Sequence, residues 1–294
     1  MSKFGPFLYA IVAVACWGLS PLLYHALEHV PAGEIVAHRG LWGGLILFGI
    51  GIFTGRIPQI REAMGKPKLM GLIAVAAFLV SINWIGFVWA VQVGRTAESS
   101  FGYYIYPLIA AGAGYVLLGE RFSRLQAVAL ALAGAAVLAL AAAGDGVPWL
   151  ALYLAITFVA YGFLRKLTPV GPMAGTILEM AIVAPFAIFW LAKVSGGVFV
   201  TGDWSDRALL IFAGLVTGAP LALFATATKR LPYSTIGILF YLNPTLQFLC
   251  SLYFGEPADA GRLAAFAVIW TAVGLYCFDL WRQGRRPAPD QVNL

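Results

Sequence analysis

Residues 69–91 read LMGLIAVAAFLVSINWIGFVWAV, twenty-three positions without a charge. A bilayer core takes about 20 apolar residues per helical span. The run is therefore long enough to cross one, and it lacks the apolar–polar alternation over about 10 residues that marks a strand of a membrane barrel. Similar runs recur near 6–27, 34–54, 97–118, 124–143, 147–165, 173–193, 207–228, 234–254 and 262–281, so ten spans are expected. In lipid only a helix satisfies all its backbone polar groups within one segment. The fold class is all-α integral membrane.

Composition agrees. The 294 residues are 61% hydrophobic and 11% charged, with a mean hydropathy of +0.85. A soluble surface needs roughly 25–35% charged positions. The formal net charge of +6 does not point to nucleic acid, because the basic residues lie singly and in pairs between apolar runs. Cys16, Cys250 and Cys277 all fall inside apolar runs and read as packing thiols. The first run, Pro6 to Leu27, is too long for a signal-peptide core and reads as a retained span. Ala13-Val14-Ala15-Cys16 faintly resembles a lipoprotein box, but the apolar run continues past it.

Basic residues set the orientation. With a cytoplasmic N-terminus, 14 of them fall inside: Lys3; Arg56, Arg61, Lys66 and Lys68; Arg121 and Arg124; Arg165 and Lys166; Lys229 and Arg230; Arg282, Arg285 and Arg286. Only 4, Arg95, Lys193, Arg207 and Arg262, fall outside, and Arg39 lies within a span. The positive-inside rule then places both termini in the cytoplasm. The longest loops, Thr54 to Leu69 and Val194 to Asp206, are too short for a separate domain.

The chain also resembles itself. An offset of 135 aligns Ala90 with Ala225, Arg95 with Arg230, Ser99 with Ser234 and Gly102 with Gly237. With a slip of one or two residues, Pro107 follows onto Pro244 and Gly119-Glu120 onto Gly255-Glu256. Trp17-Gly18 similarly resembles Tyr161-Gly162. Five spans per half is odd, so the second copy enters the membrane from the opposite side. Inverted repeats of this kind recur in secondary transporters, with the solute site at the repeat interface near the midplane. The expected units are 1–144 and 145–282, each a five-helix repeat, followed by a short cytoplasmic tail at 283–294.

Enzyme signatures are absent. No Walker A run and no HExxH occur, and the three histidines, His25, His29 and His38, form no ligand spacing with other donors. No cofactor or metal is implied. Pro107, Pro185, Pro220 and Pro244 lie in mid-span, and the paired Pro107 and Pro244 are candidate helix breaks beside a binding site. Glycines at Gly40/Gly44, Gly214/Gly218, Gly49/Gly51 and Gly112/Gly114 read as close helix contacts.

Polar and aromatic residues gather near the paired prolines. Ser99, Tyr103 and Tyr106 share one helical face, as do Phe240, Asn243 and Gln247. Asn83, Trp84, Trp17 and Tyr161 join them from other spans. Lipid offers nothing to an amide or hydroxyl, so these face the bundle interior. Trp17, Asn83, Trp84, Tyr103, Tyr106, Asn243 and Gln247 are the candidate solute contacts; such a face suits a small amphipathic or aromatic solute. Trp149, Trp204 and Trp281 read as interfacial belt residues. The ionisable residues within spans are His38, Arg39, Glu98, Glu179 and Asp279, each needing a partner, water or the interface. His38 and Glu179 are the central candidates for a proton relay, although neither shows an evident second carboxylate in its own span; structural pairing is the competing role.

Several stretches resemble the drug/metabolite transporter superfamily, in which two EamA-type halves form ten helices, and within it the RarD-like permeases. They are Glu34-Ile35-Val36-Ala37-His38-Arg39 with Trp42, Asn83-Trp84, Trp89-Ala90-Val91, Glu98 through Tyr104, Pro107-Leu108, Gly119-Glu120-Arg121 and Leu125-Gln126. The second half adds Arg230-Leu231-Pro232, Gly237, Tyr241, Pro244 through Phe248, and Phe266 to Trp270. Tyr106 departs from the pattern, standing before Pro107 where relatives often carry Asn. The resemblance implies an exporter of small metabolites in the bacterial cytoplasmic membrane, with neutral and aromatic amino acids the leading class and broad chloramphenicol-like drug efflux the alternative. The expected mechanism is alternating access by a monomer whose partners are its solute and the bilayer. An intramembrane enzyme and a channel are the rival classes.

Overall fold

The computed structural model describes residues 5–92, 96–142, 149–193, 197–254 and 260–284. Every regular element among them is a helix: α1 (Gly5–Gly18), α2 (Ser20–Ala26), α3 (Ala32–Phe53), α4 (Ile57–Met64), α5 (Pro67–Gln92), α6 (Thr96–Leu118), α7 (Arg124–Ala142), α8 (Trp149–Leu167), α9 (Pro172–Lys193), α10 (Val198–Thr201), α11 (Trp204–Arg230), α12 (Tyr233–Phe240), α13 (Leu242–Tyr253) and α14 (Ala260–Gly284). Among the described residues 9 helical segments are long and apolar enough to cross a membrane, α1 and α2 counting together as one.

The remaining expected span, 234–254, is present as two helices, α12 and α13, divided at Tyr241. The cause is Pro244. It has no N–H for the carbonyl of Phe240, four residues earlier, and its ring crowds that carbonyl. Pro107 behaves differently from the expected break. Helix α6 runs through it from Thr96 to Leu118. Pro185 and Pro220 likewise lie inside the continuous helices α9 and α11.

Helix α3 packs on α9 and α11, α7 on α14, α6 on α8 and α12, α1 on α11, and α5 on α8. Glycine sets the closest of these contacts. A methyl group on Gly43 would stand 2.9 Å from the carbonyl oxygen of Gly214, and one on Gly214 would stand 2.4 Å from Cβ of Trp42. A methyl on Gly218 would meet the Gly43 carbonyl at 3.0 Å. Gly214/Gly218 thus straddle Gly43, while Gly40 and Gly44 face Val183 and Met180 of α9. A second close approach sets Gly237 of α12 against Pro107 and Ala110 of α6.

Both longer loops carry short helices. α4 buries Ile60 and Ala63 in a cluster with Leu47, Ile73, Ala174 and Ile177. α10 is held by Glu34 of α3, which is 1% exposed and accepts the N–H groups of Val198 at 3.0 Å and Phe199 at 2.8 Å. Trp149, Trp204 and Trp281 are exposed, the first two at helix starts and the third near the end of α14, as expected of belt residues.

Candidate functional site

Among the described residues a cavity of about 40 Å³ opens between α1, α2, α3, α5, α6, α8, α12 and α13. Its walls come from Trp17, Ser20 and Tyr24, Arg39, Asn83, Trp84 and Phe87, Tyr103, Phe158, Phe240, and Asn243 and Gln247. Tyr24 lies late in α2, Arg39 early in α3, Phe87 late in α5 and Tyr103 early in α6. The cavity therefore occupies the half of the bundle that carries the α2–α3 and α5–α6 connections.

Its deep end is aromatic. The Trp17 ring meets Phe158 edge-on at 5.6 Å and Phe224 at 5.5 Å, and Phe158 meets Phe240 at 5.4 Å. Edge-to-face and tilted pairs at these separations add to burial, each by about 0.5–1.5 kcal/mol. Tyr106, expected among the solute contacts, does not reach the cavity. It is fully buried one turn beyond Tyr103, its ring 4.3 Å from Phe240 and 5.4 Å from Phe158, and so supports the floor from below.

The other six expected contacts all line the cavity. Their polar groups are not equally available. Asn83 donates its amide N–H bonds to the carbonyl of Leu154 and to Oγ1 of Thr157, both at 2.9 Å. It is 2% exposed and ties α5 to α8. Gln247 donates to Oδ1 of Asn243 at 2.8 Å, joining two residues one turn apart on α13. Ser20, Tyr24, Phe87 and Phe158 were not anticipated. Ser20 donates to the carbonyl of Trp17 at 2.7 Å where α1 gives way to α2.

Of the ionisable candidates whose side chains are described, only Arg39 lines the cavity. Its Nε donates to Oγ1 of Thr217 at 2.8 Å, and its guanidinium lies 5.2 Å from the ring centres of both Tyr24 and Trp84. His38, on the next position, points elsewhere. Trp42 donates its indole N–H to Nδ1 of His38 at 3.1 Å, and the imidazole lies against Phe199 at 4.5 Å. An indole can only donate, so the His38 proton sits on Nε2, 3.9 Å from a carboxylate oxygen of Glu34. The span of His38 thus does contain a second carboxylate, one turn away, and that carboxylate is engaged by α10.

Glu179 faces Arg165, with Oε1 3.2 Å from Nε and both side chains fully buried. Tyr161 donates to Oε2 of Glu179 at 3.3 Å, and Nη2 of Arg165 donates to the carbonyl of Pro172 at 2.8 Å. Arg165, counted above among the basic residues on the cytoplasmic side, is a buried partner. Asp279 accepts from the hydroxyl of Ser123 at 2.6 Å. The side chain of Glu98 and the pair Gly255-Glu256 lie outside the described residues.

Below the floor the chain is bolted shut. Tyr233 donates its hydroxyl to the carbonyl of Val159 at 2.6 Å. Lys166 donates to the carbonyls of Thr228 at 2.9 Å and Leu231 at 2.7 Å. Gly119, with φ +68, ends α6 in a left-handed turn, and the N–H of Glu120 returns to the carbonyl of Gly114 at 3.0 Å. That turn delivers the Glu120 carboxylate to the N-terminus of α12.

A helical membrane bundle that encloses an aromatic and amide-lined cavity is the architecture of a solute carrier. The profile of the EamA-like transporter family matches residues 5–142. An uncharacterized transporter of Pseudomonas aeruginosa is 40% identical over 288 residues, covering 96% of this chain and 97% of that one. Protein RarD of Escherichia coli is 34% identical over 283 residues, covering 95% and 96%. A chloramphenicol-sensitive protein RarD of Pseudomonas aeruginosa is 31% identical over 290 residues, covering 96% of both. A solved crystal structure, 18% identical, shares the fold with a TM-score of 0.70 over 94% of this chain. The chain belongs to the EamA-like family of the drug/metabolite transporter superfamily, among its RarD homologues. It is a multi-pass membrane transporter.

Proposed function

We propose that this transporter exports small metabolites across the bacterial cytoplasmic membrane by alternating access, with neutral amino acids, aromatic ones included, as its leading substrates. The observation that carries the reading is the cavity, where Trp17, Trp84, Tyr103, Phe158 and Phe240 present rings and Asn243 and Gln247 present amides. Rings take up an apolar or aromatic side chain, and amides orient a polar head.

The units are 1–144 and 145–282, related by an axis in the membrane plane. In support, the packed pairs α3–α9, α6–α12 and α7–α14 join spans that such an axis maps onto one another, and it exchanges the pair α1–α11 with α5–α8. With both termini cytoplasmic, as the basic residues require, the cavity faces outward and the bolts of Glu120, Tyr233 and Lys166 close the cytoplasmic end. Transport is facilitated or electroneutral. The environments of His38 and Glu179 support this, because each is committed to neighbours outside the cavity.

Counterflow into proteoliposomes with labelled amino acids and labelled chloramphenicol tests the substrate. Exchange of phenylalanine or tryptophan is expected; exchange of chloramphenicol alone favours the alternative of broad drug efflux. An imposed pH gradient is expected not to drive accumulation. Accumulation by the unmodified protein that requires the gradient overturns the facilitated mechanism.

A further inference from the structure

Among the described residues Arg39 is the one charged group on the cavity wall, and none of them answers its charge there. An arginine within a span costs about 2.5–3.5 kcal/mol on insertion scales unless something compensates it. Arg39 is 5% exposed, and among the described residues no carboxylate lies within 4.0 Å of it. Glu34, one turn away on α3, is turned to the amides of Val198 and Phe199. Thr217 takes only Nε, and Nη1 is buried with no hydrogen-bond partner. The flanking rings of Tyr24 and Trp84 hold the guanidinium in place without using its N–H groups. A held guanidinium with unspent donors matches a carboxylate, which accepts two parallel N–H bonds. Among the described residues no acidic side chain lines the cavity to receive an ammonium.

We infer that the cavity selects solutes by an anionic carboxylate head seated on Arg39, with an aromatic or apolar body lying over Trp17, Phe158 and Phe240. This rests on reading the cavity as the solute site, and it narrows the substrate class to organic acids, of which amino acids are the zwitterionic members. The carboxylate is required and the α-ammonium is not. Uncharged drugs are poor ligands.

Four probes that differ only in the head test it: L-phenylalanine, 3-phenylpropanoate, 3-phenylpropanamide and 2-phenylethylamine. Binding to the purified full-length protein is followed by tryptophan fluorescence, since Trp17 and Trp84 line the cavity, and by ligand-induced thermal stabilisation. Both acids are expected to bind, and the amide and the amine to bind about ten- to a hundredfold more weakly, the worth of a charge-assisted pair. Arg39→Gln is expected to lower the affinity for 3-phenylpropanoate by a similar factor while leaving that for the amide unchanged, and Arg39→Lys to recover part of the loss. Amide or amine binding as tightly as the acid overturns the proposal, as does failure of all four to bind. Should Arg39→Gln not fold, the wild-type ranking of the four heads decides alone. Acid-selective binding without amino-acid counterflow would keep the anchor and remove amino acids as substrates; counterflow of phenylalanine with equal binding of the amide would do the reverse.

Discussion

Glu120 caps the first turn of α12 from the connection between α6 and α7: its carboxylate accepts the N–H of Ser234 at 3.0 Å and the hydroxyl of Ser234 at 2.6 Å, while its other oxygen takes the N–H of Tyr233. Tyr276 adds a bond to the same hydroxyl at 3.1 Å. Bonds to a charged acceptor are worth about 1.5–3 kcal/mol. Glu120→Ala is therefore expected to lower the thermal midpoint of the purified protein by several degrees, and Ser234→Ala to lower it less. The two changes remove one network, so the double variant should be close to Glu120→Ala alone. Fully additive losses would show that the two residues act separately.

The Arg165–Glu179 pair makes a stronger claim. Both side chains are fully buried, so replacing one leaves an uncompensated charge, at a cost of about 3–5 kcal/mol. Glu179→Gln should reduce the yield of folded protein sharply, and Arg165→Met with Glu179→Leu should restore it. Normal yield and thermal midpoint in Glu179→Gln would show that the pair does not carry the packing of α8 on α9.

Asn83 separates structure from recognition. Because its N–H groups bond Leu154 and Thr157, Asn83→Ala leaves that carbonyl and hydroxyl short of a partner, costing about 1–3 kcal/mol. The expected result is a lower thermal midpoint with solute affinity changed less than threefold, roughly 0.6 kcal/mol. A large affinity loss at unchanged stability would place its amide in direct contact with the solute.

Much of this fold is legible in the sequence because lipid removes the ambiguity that short apolar runs have in water. The charge-free run 69–91 has no reading but a span, and it lies within α5. Pro244 marked the interrupted span, though the division falls three residues earlier, at Tyr241, directly after the Phe240 carbonyl that its ring crowds. Trp84, Tyr103, Asn243 and Gln247 could be found because a polar or amphipathic residue stands out against an apolar background. Phe87 and Phe158 could not, since a phenylalanine on an apolar helix looks the same whether it lines a cavity or meets lipid. Arg165 was misplaced for a related reason: it lies at the end of α8, where basic residues normally reach water, and only the turn into α9 brings Glu179 to it.

Glycine at position 43 gives a test of that packing. A methyl there meets the Gly214 backbone at 2.9 Å, whereas one on Gly49 meets nothing within 4 Å. Backbone cannot step aside as a flexible side chain does, so Gly43→Ala is expected to destabilise by about 1–3 kcal/mol, the usual cost of overpacking. Gly49→Ala on the same helix is expected to be neutral or slightly stabilising. Equal behaviour of the two in detergent melts would argue against the close approach of α3 to α11.

The rings beneath the cavity have an electrical consequence. Trp17, Tyr106, Phe158, Phe224 and Phe240 pack with centroids 4.3–6.4 Å apart, and four of them are at most 4% exposed. An apolar constriction of this kind sheds water, and without a file of water neither protons nor sodium ions can follow the solute's route. The floor is an insulator: it lets the membrane stay polarised while a cavity sits halfway through it. Trimming Phe158 or Phe240 to alanine would open a leak, seen as dissipation of an imposed potential in proteoliposomes that contain no solute at all.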